Sequence, residues 1–237
     1  MITEIIPSTT SIYGEIMVKI QTGDFAPGSR LVEQDLAQVL GVSRVSVRAA
    51  LGRLVAQGVL ISGDNGRGVF VRNYSWQQVH QLFEYRLILE TEAAALATSN
   101  ATDTDLTRLS MLCESMGPQI DCFASDPWER LDYQFHQSIA LASHNDRLIH
   151  ALDSLLTEYY FVFYVPALFL MEDEDVAQAR DCDKIVREHR AIVSAIADHD
   201  SQGAHQASRD HVQGVADFAS RYIIAKKLRA NTLEVKP

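Results

Sequence analysis

The sequence predicts a mainly α protein in two parts, an N-terminal winged helix-turn-helix followed by an all-helical domain. Two observations carry that prediction. Between residues 9 and 72 the chain reads helix, helix, tight turn, helix and hairpin, and from residue 76 onward only helical periodicity is found, with no strand alternation and no internal repeat. The charge distribution separates the same two parts. The chain carries a net charge of −10, yet residues 1–75 sum to +1 and residues 76–237 to −11. From Pro27 to Arg72 six basic residues stand against three acidic ones. Such asymmetry implies different partners for the two parts, and only the first could approach a polyanion.

The elements of the first part follow from pattern and punctuation. Residues 9–22 form a helix with Tyr13, Ile16, Met17 and Ile20 on one face. Gly23 and Pro27-Gly28 break the chain. A short helix over 32–40 turns Leu36, Ala37 and Leu40 inward. Gly41 ends it, and Val42-Ser43 leads into a third helix over 44–57 with Val47, Leu51 and Leu54 inward and Gly58 as its stop. Two β-prone runs, Val59–Ile61 and Val69–Val71, flank Asp64-Asn65-Gly66, and Asn-Gly between such runs is a strong hairpin signal.

After Asn73-Tyr74-Ser75, a linker, helices are expected over 76–99, 103–116, 126–143, 146–165, 173–200 and 202–229. Pro166 should end or kink the fourth of these. The expected domains are therefore residues 1–73 and 76–237. The composition, 47% hydrophobic and 22% charged, is that of a soluble globular protein. No apolar run approaches the roughly 20 residues of a membrane span, and the N-terminus lacks the basic and apolar regions of a secretory signal. Cys113, Cys122 and Cys182 are too few and too scattered for a disulfide framework or a CxxC zinc site, which suits a reducing cytoplasm.

In a helix-turn-helix the second helix lies in the major groove with its N-terminal residues at base edges. Here that helix opens with Ser43, Arg44, Ser46 and Arg48. Arg44 and Arg48 are four apart, so they share a face opposite the Val47/Leu51/Leu54 stripe. Arginine pairs bidentately with guanine O6 and N7, and serines reach bases or phosphates. The hairpin tip adds Arg67 between Gly66 and Gly68, small residues that allow close backbone approach. Two exposed arginines alone would be an ordinary solvated face; the turn glycine, the Asn-Gly wing and the basic local balance lift them above it.

The stretch PGSRLVEQDLAQVLGVSRVSVRAALGRLVAQGVL followed by GRGVFV resembles the DNA-binding domain of GntR-family bacterial repressors over roughly residues 10–72. By position the resemblance places base and phosphate contacts on Arg44 and Arg48, with Ser43, Ser46 and the wing Gly66–Gly68. The chain departs from the family at Gln34 and Asp35, where an arginine is common nearby, at Ala49, often Glu, and at Ser46, often Pro. Gln34 and Ser46 bear on which operator is read.

In the helical domain the informative residues are ionisable ones on apolar stripes. Asp132 and His136 lie four apart beside the stripe Trp128, Leu131, Phe135, Ile139 and Ala142. His189 lies among Ile185, Ile192, Val193 and Ile196, and His211 among Ala207, Val215, Phe218 and Tyr222. One such histidine is usually a core residue satisfied by a neighbour. Three histidines and an aspartate suit Zn²⁺, Ni²⁺ or a similar divalent ion with positions left open for an external oxygen ligand. Arg86 and Glu90 lie on the stripe Val79, Phe83, Ala93 and Ala97. A buried arginine needs an anion, either Glu90 one turn on or the carboxylate of a ligand.

The segments FEYRLILETEAAALA, DYQFHQSIALASHN, REHRAIVSAIADHD and DHV resemble the FadR branch of that family, whose C-terminal ligand-binding (FCD) domain is an antiparallel helical bundle. The resemblance implies a divalent-metal site on Asp132, His136, His189 and His211 that helps to bind a small organic acid, with zinc the first choice. It matches Arg86 to an arginine in the bundle's first helix, and Asn145 to a residue that a helix N-cap equally explains. His80, His144, His150, His199 and His205 match nothing and read as surface or packing residues.

These readings lead to a metabolite-responsive transcriptional regulator, a repressor as most of this family are. It would be a cytoplasmic homodimer binding double-stranded operator DNA, with a carboxylate effector on the metal and Arg86. Two other readings stand beside it. A His₃Asp site with an open position could activate water in a metalloenzyme, although no second carboxylate sits at a general-base spacing and an enzyme has no need of the N-terminal module. Alternatively the metal is purely structural.

Overall fold

The first unit is built from α1 (Ile12–Gln21), β1 (Arg30–Leu31), α2 (Glu33–Leu40), α3 (Arg44–Ala56), β2 (Leu60–Ser62) and β3 (Val69–Val71). The structure is a computed structural model and describes residues 12–21, 24–63, 68–117, 126–170 and 181–233. Helix α1 buries Tyr13, Ile16, Met17 and Ile20, and α3 buries Val47, Leu51 and Leu54, the stripes that periodicity marks. Gly41, with φ +66, caps α2 in the left-handed region, where a side chain would crowd its own backbone. Ser43 then caps α3, its hydroxyl accepting from Ser46 N–H at 3.1 Å.

The strands form a three-stranded antiparallel sheet in the order β1-β3-β2, with Ile61 and Arg30 both opposite Phe70. Strand β1 was invisible to sequence reasoning. Two residues are too few for alternation to register, and the pairing depends on β3, almost 40 residues on. The hairpin closes through Gly63 N–H to Gly68 O at 2.9 Å. Its expected Asn-Gly tip, with Gly66 and Arg67, lies outside the described residues.

The chain divides into two compact units, residues 1–75 with 157–168, and residues 76–156 with 169–237. Residues 157–168 group with the first unit. Within that unit Glu158 accepts hydrogen bonds from Arg72 at 3.1 Å and from Tyr74 at 2.8 Å, so Tyr74 is anchored rather than free linker. These partners lie more than 80 residues apart, and no local pattern announces them.

The second unit holds α4 (Trp76–Asn100), α5 (Asp103–Met116), α6 (Asp126–Ala142), the start of α7 (Asp146–Leu170), α8 (Cys182–Ala197) and α9 (Ser201–Leu233). Helix α9 packs on α4 and α8, α6 on α4 and α5, and α8 on α4 and α5. Thr102 and Asp105 form a reciprocal capping box on α5, and Asn145 Oδ1 accepts from the amides of Arg147 and Leu148 to start α7.

Two expectations are corrected here. Helix α7 does not end at Pro166 but runs on to Leu170. A proline inside a helix loses its own amide bond and crowds the carbonyl four residues back, a cost of about 3 kcal/mol that the rest of a long helix can offset. Helix α8 ends at Ala197, before a left-handed His199, and not at 200; the expected part before residue 181 lies outside the described residues. Cys182 is disulfide-bonded, and Cys113 is free and buried.

Candidate metal centre and nucleic-acid interface

Helix α6 supplies two groups one turn apart, α8 and α9 one each, and packing brings them together. Asp132, His136, His189 and His211 are all buried. On α9 the buried face is Ala204, Ser208, His211, Val212 and Ala219, whereas Ala207, Val215 and Phe218 of the expected stripe are only half-buried. The histidine is common to both faces, so the residue is right although the stripe is rotated. One ring nitrogen from each of His136, His189 and His211 lies within 4.8 Å of the others.

The inward atoms are the Nε2 nitrogens. His189 Nε2 lies 3.4 Å from His211 Nε2 and 3.4 Å from Asp132 Oδ1, and His136 Nε2 lies 3.9 Å from that same oxygen. Ligands about 2.1 Å from a tetrahedral ion stand roughly 3.4 Å apart, so the set fits a first-row divalent cation. Two of the three outward nitrogens lie near carboxylates. Glu90 Oε2 lies 2.8 Å from His136 Nδ1 and Glu188 Oε2 lies 3.0 Å from His211 Nδ1. The Glu188 carboxylate facing His211 Nδ1 places that ring's proton there and leaves its Nε2 lone pair turned inward, as a ligand requires, while the Nε2 lone pair of His136 faces the Arg86 Nη2 donor. His189 Nδ1 is buried without a hydrogen-bond partner among the described residues, and its ring stacks on Phe135 with centroids 4.0 Å apart.

Electrostatics favour the neutral, metal-binding form of the rings. Burial pushes His211 down to about 3, with the nearby His136 and Arg86 acting in the same direction. Burial and His211 hold His189 well below the usual histidine range. Burial alone would raise the Glu90 carboxyl, but Arg86 and His136 outweigh it and hold it well below the usual carboxylate range. Burial raises the Glu188 carboxyl, with Lys184 pulling the other way.

Arg86 is 1% exposed and pairs with Glu90, while its Nη2 lies 3.0 Å from His136 Nε2. Of the two alternatives for Arg86 the structure shows Glu90 as its carboxylate partner, and the guanidinium also reaches the metal-type cluster. Sequence reasoning missed Glu90 and Glu188 as partners of the histidine rings. For Glu188, adjacency to His189 conceals that its partner is His211 on another helix. The remaining histidines lie elsewhere: His80, His144 and His205 sit near Glu84, Asp105 and Glu92, and His199 Nδ1 contacts Thr98 O.

In the first unit Ser43, Arg44 and Arg48 are exposed at the start of α3, Ser46 is half-exposed, and Gln34 is exposed on α2. The hydroxyls of Ser43 and Ser46 lie 2.8 Å apart. Gly68, with φ +94, sits where a Cβ would meet Arg30 Nε at 2.7 Å. Arg44 and Arg48, whose side chains are 61% and 67% exposed, both face Glu33, a partner that sequence reasoning did not find.

A winged helix-turn-helix with exposed arginines on its second helix, joined to a helical unit with a buried polar cluster, is the constitution of a ligand-responsive DNA-binding regulator. Comparison with known proteins gives the family. Residues 8–71 match the gntR family of bacterial regulatory proteins and residues 81–214 match the FCD domain. The HTH-type transcriptional regulator LutR of Bacillus subtilis is 30% identical over 223 residues, spanning 86% of this chain and 97% of LutR. The putative L-lactate dehydrogenase operon regulatory protein of Escherichia coli is 28% identical over 217 residues, spanning 80% of this chain and 77% of that protein. Among solved structures, E. coli McbR/YncC superposes with a TM-score of 0.66 at 22% identity, covering 89% of this chain and 96% of that one, which speaks for the fold. The chain belongs to the GntR family, in the branch that carries an FCD domain, and is a DNA-binding transcriptional regulator rather than an enzyme. No helix among the described residues is long and apolar enough to cross a membrane.

Proposed function

We propose that the helical domain senses a small organic carboxylate at a divalent-metal site formed by Asp132, His136, His189 and His211, and that binding there alters the operator affinity of a repressor. The observation that carries this reading is the convergence of three Nε2 atoms and Asp132 Oδ1 from three helices, with the buried Arg86 guanidinium 3.0 Å from one of those nitrogens. A structural metal would need no buried cation beside it, whereas a carboxylate bound there would meet both a metal and a guanidinium.

When bound, the ion supplies a Lewis-acidic centre for an oxygen ligand; zinc suits these donors first, and nickel or another first-row ion also fits them. The chain's own residues do the rest. Glu188 fixes the His211 tautomer, Arg86 binds the carboxylate, and the fully buried Phe135, stacked on His189, keeps water from the site. A relative named for an L-lactate dehydrogenase operon makes 2-hydroxy acids the first class to try.

The division of labour is residues 1–73 for DNA and 76–237 for effector binding and dimerisation. DNA contact falls to Gln34, Ser43, Arg44, Ser46 and Arg48, with the wing at Gly66, Arg67 and Gly68. A cytoplasmic homodimer would place two such surfaces on a palindromic duplex. The effector acts only if its affinity differs between the DNA-competent state and the alternative. The test is a thermal-shift panel of L-lactate, acetate and citrate on protein purified without chelator. At least one carboxylate should raise the melting temperature of the wild type and leave Arg86→Ala unmoved. An equal shift in Arg86→Ala would overturn the effector site.

A further inference from the structure

Glu33, the first residue of α2, grips the recognition helix from outside the core. Its Oε1 accepts from Arg48 Nε at 2.8 Å and its Oε2 from Arg48 Nη2 at 2.7 Å, two parallel bonds along one edge of the guanidinium. Arg44 Nη2 lies 3.9 Å from the same Oε2. Exposed ion pairs contribute little to stability, so folding does not explain this one. A two-point grip does, however, fix the plane of a side chain that would otherwise swing freely.

A guanidinium has five N–H donors. With Nε–H and one Nη2–H engaged by Glu33, both Nη1 protons and the second Nη2 proton have no partner among the described residues. Their outer edge is again a two-pronged fork, the shape that matches guanine O6 and N7. The same carboxylate neutralises positive charge on the helix and so weakens attraction to phosphates that carries no sequence information.

We propose that Glu33 is a positioning and specificity-determining residue: it presents the Nη1/Nη2 edge of Arg48 to a single base pair and suppresses sequence-independent DNA binding. The proposal rests on α3 being the recognition helix. It predicts that losing Glu33 strengthens binding to arbitrary DNA while weakening discrimination, the opposite of what loss of a simple DNA contact would do.

The probe is a pool of duplexes with a randomised centre, put to the full chain as wild type, Glu33→Ala, Glu33→Gln and Arg48→Ala. The sequence the wild type enriches is then compared with a scrambled duplex across a range of salt concentrations. Glu33→Ala should bind the scrambled duplex several-fold more tightly. It should also have a salt slope steeper by about one, and lose base preference at the position where Arg48→Ala loses it. Its ratio of specific to scrambled affinity should fall about tenfold, while its melting temperature stays at the wild-type value. Glu33→Gln, which keeps an acceptor but not the charge, should retain part of the base preference while its affinity for scrambled DNA rises. If Glu33→Ala enriches the wild-type sequence with full contrast, or loses contrast evenly at every position, the proposal is overturned and the recognition helix stands. If the wild type enriches nothing and Arg48→Ala binds the pool equally well, the recognition-helix reading falls and takes the proposal with it.

Discussion

Replacing Glu90 with leucine should destabilise the helical unit sharply, and restoring balance at Arg86 should undo most of the damage. Glu90 is 4% exposed and Arg86 1%, one helical turn apart, with His136 Nδ1 2.8 Å from the other Glu90 oxygen. Removing one partner of a buried ion pair costs about 3–5 kcal/mol, because the charge left behind has lost both its hydration and its counter-ion. A domain of this size melts about 2–4 °C lower for each kcal/mol lost, so the expected fall is roughly 6–20 °C. The double variant Arg86→Met/Glu90→Leu leaves no such charge and should recover to within about 2 kcal/mol of the wild type. The assay is chemical and thermal unfolding followed by circular dichroism, on metal-free protein so that ligation does not mask the effect. A Glu90→Leu protein within about 1 kcal/mol of the wild type would refute the reasoning. So would a double variant as unstable as the single one.

Further expectations follow from pH, capping and the turn. His211 is held down to about 3 and His189 is also lowered, both chiefly by burial. The unfolded chain therefore takes up protons that the native rings refuse, and metal-free stability is full above pH 6.5 and falls progressively toward about pH 3. Urea midpoints measured across that range check it, and a flat profile below pH 6.5 would contradict it. Thr102→Ala removes the hydroxyl of the α5 capping box and should cost about 1 kcal/mol, read as a shift of urea midpoint at constant slope. Gly41→Ala forces a side chain into a left-handed cap with φ +66 and should cost about 1 kcal/mol of stability in the first unit.

Much of this architecture is legible in the residues because its signals are local. The faces of α1 and α3 and the Asn145 cap follow from period and residue type within one or two turns. The four residues of the metal-type cluster were legible for another reason: an ionisable group on an apolar stripe is visible before its partner is known. Partnerships were not legible. Glu33 with Arg48, Glu188 with His211 and Glu158 with Arg72 and Tyr74 join groups 15 to 86 residues apart, and only packing decides them. The stripe on α9 was misread because small residues, Ala204, Ser208 and Ala219, line its buried face, and side-chain hydrophobicity barely marks them. Strand β1 was missed because it exists only through its bonds to β3.

Metal content tests the central claim most directly. Protein purified without chelator would be measured by plasma mass spectrometry beside an Asp132→Ala/His136→Ala variant. The account predicts about one divalent ion per chain in the wild type and none in the variant, since half of a tetrahedral donor set is gone. Equal metal content in both would contradict the site, and a metal-free wild type that cannot be loaded with zinc or nickel would contradict the reading of these histidines as ligands.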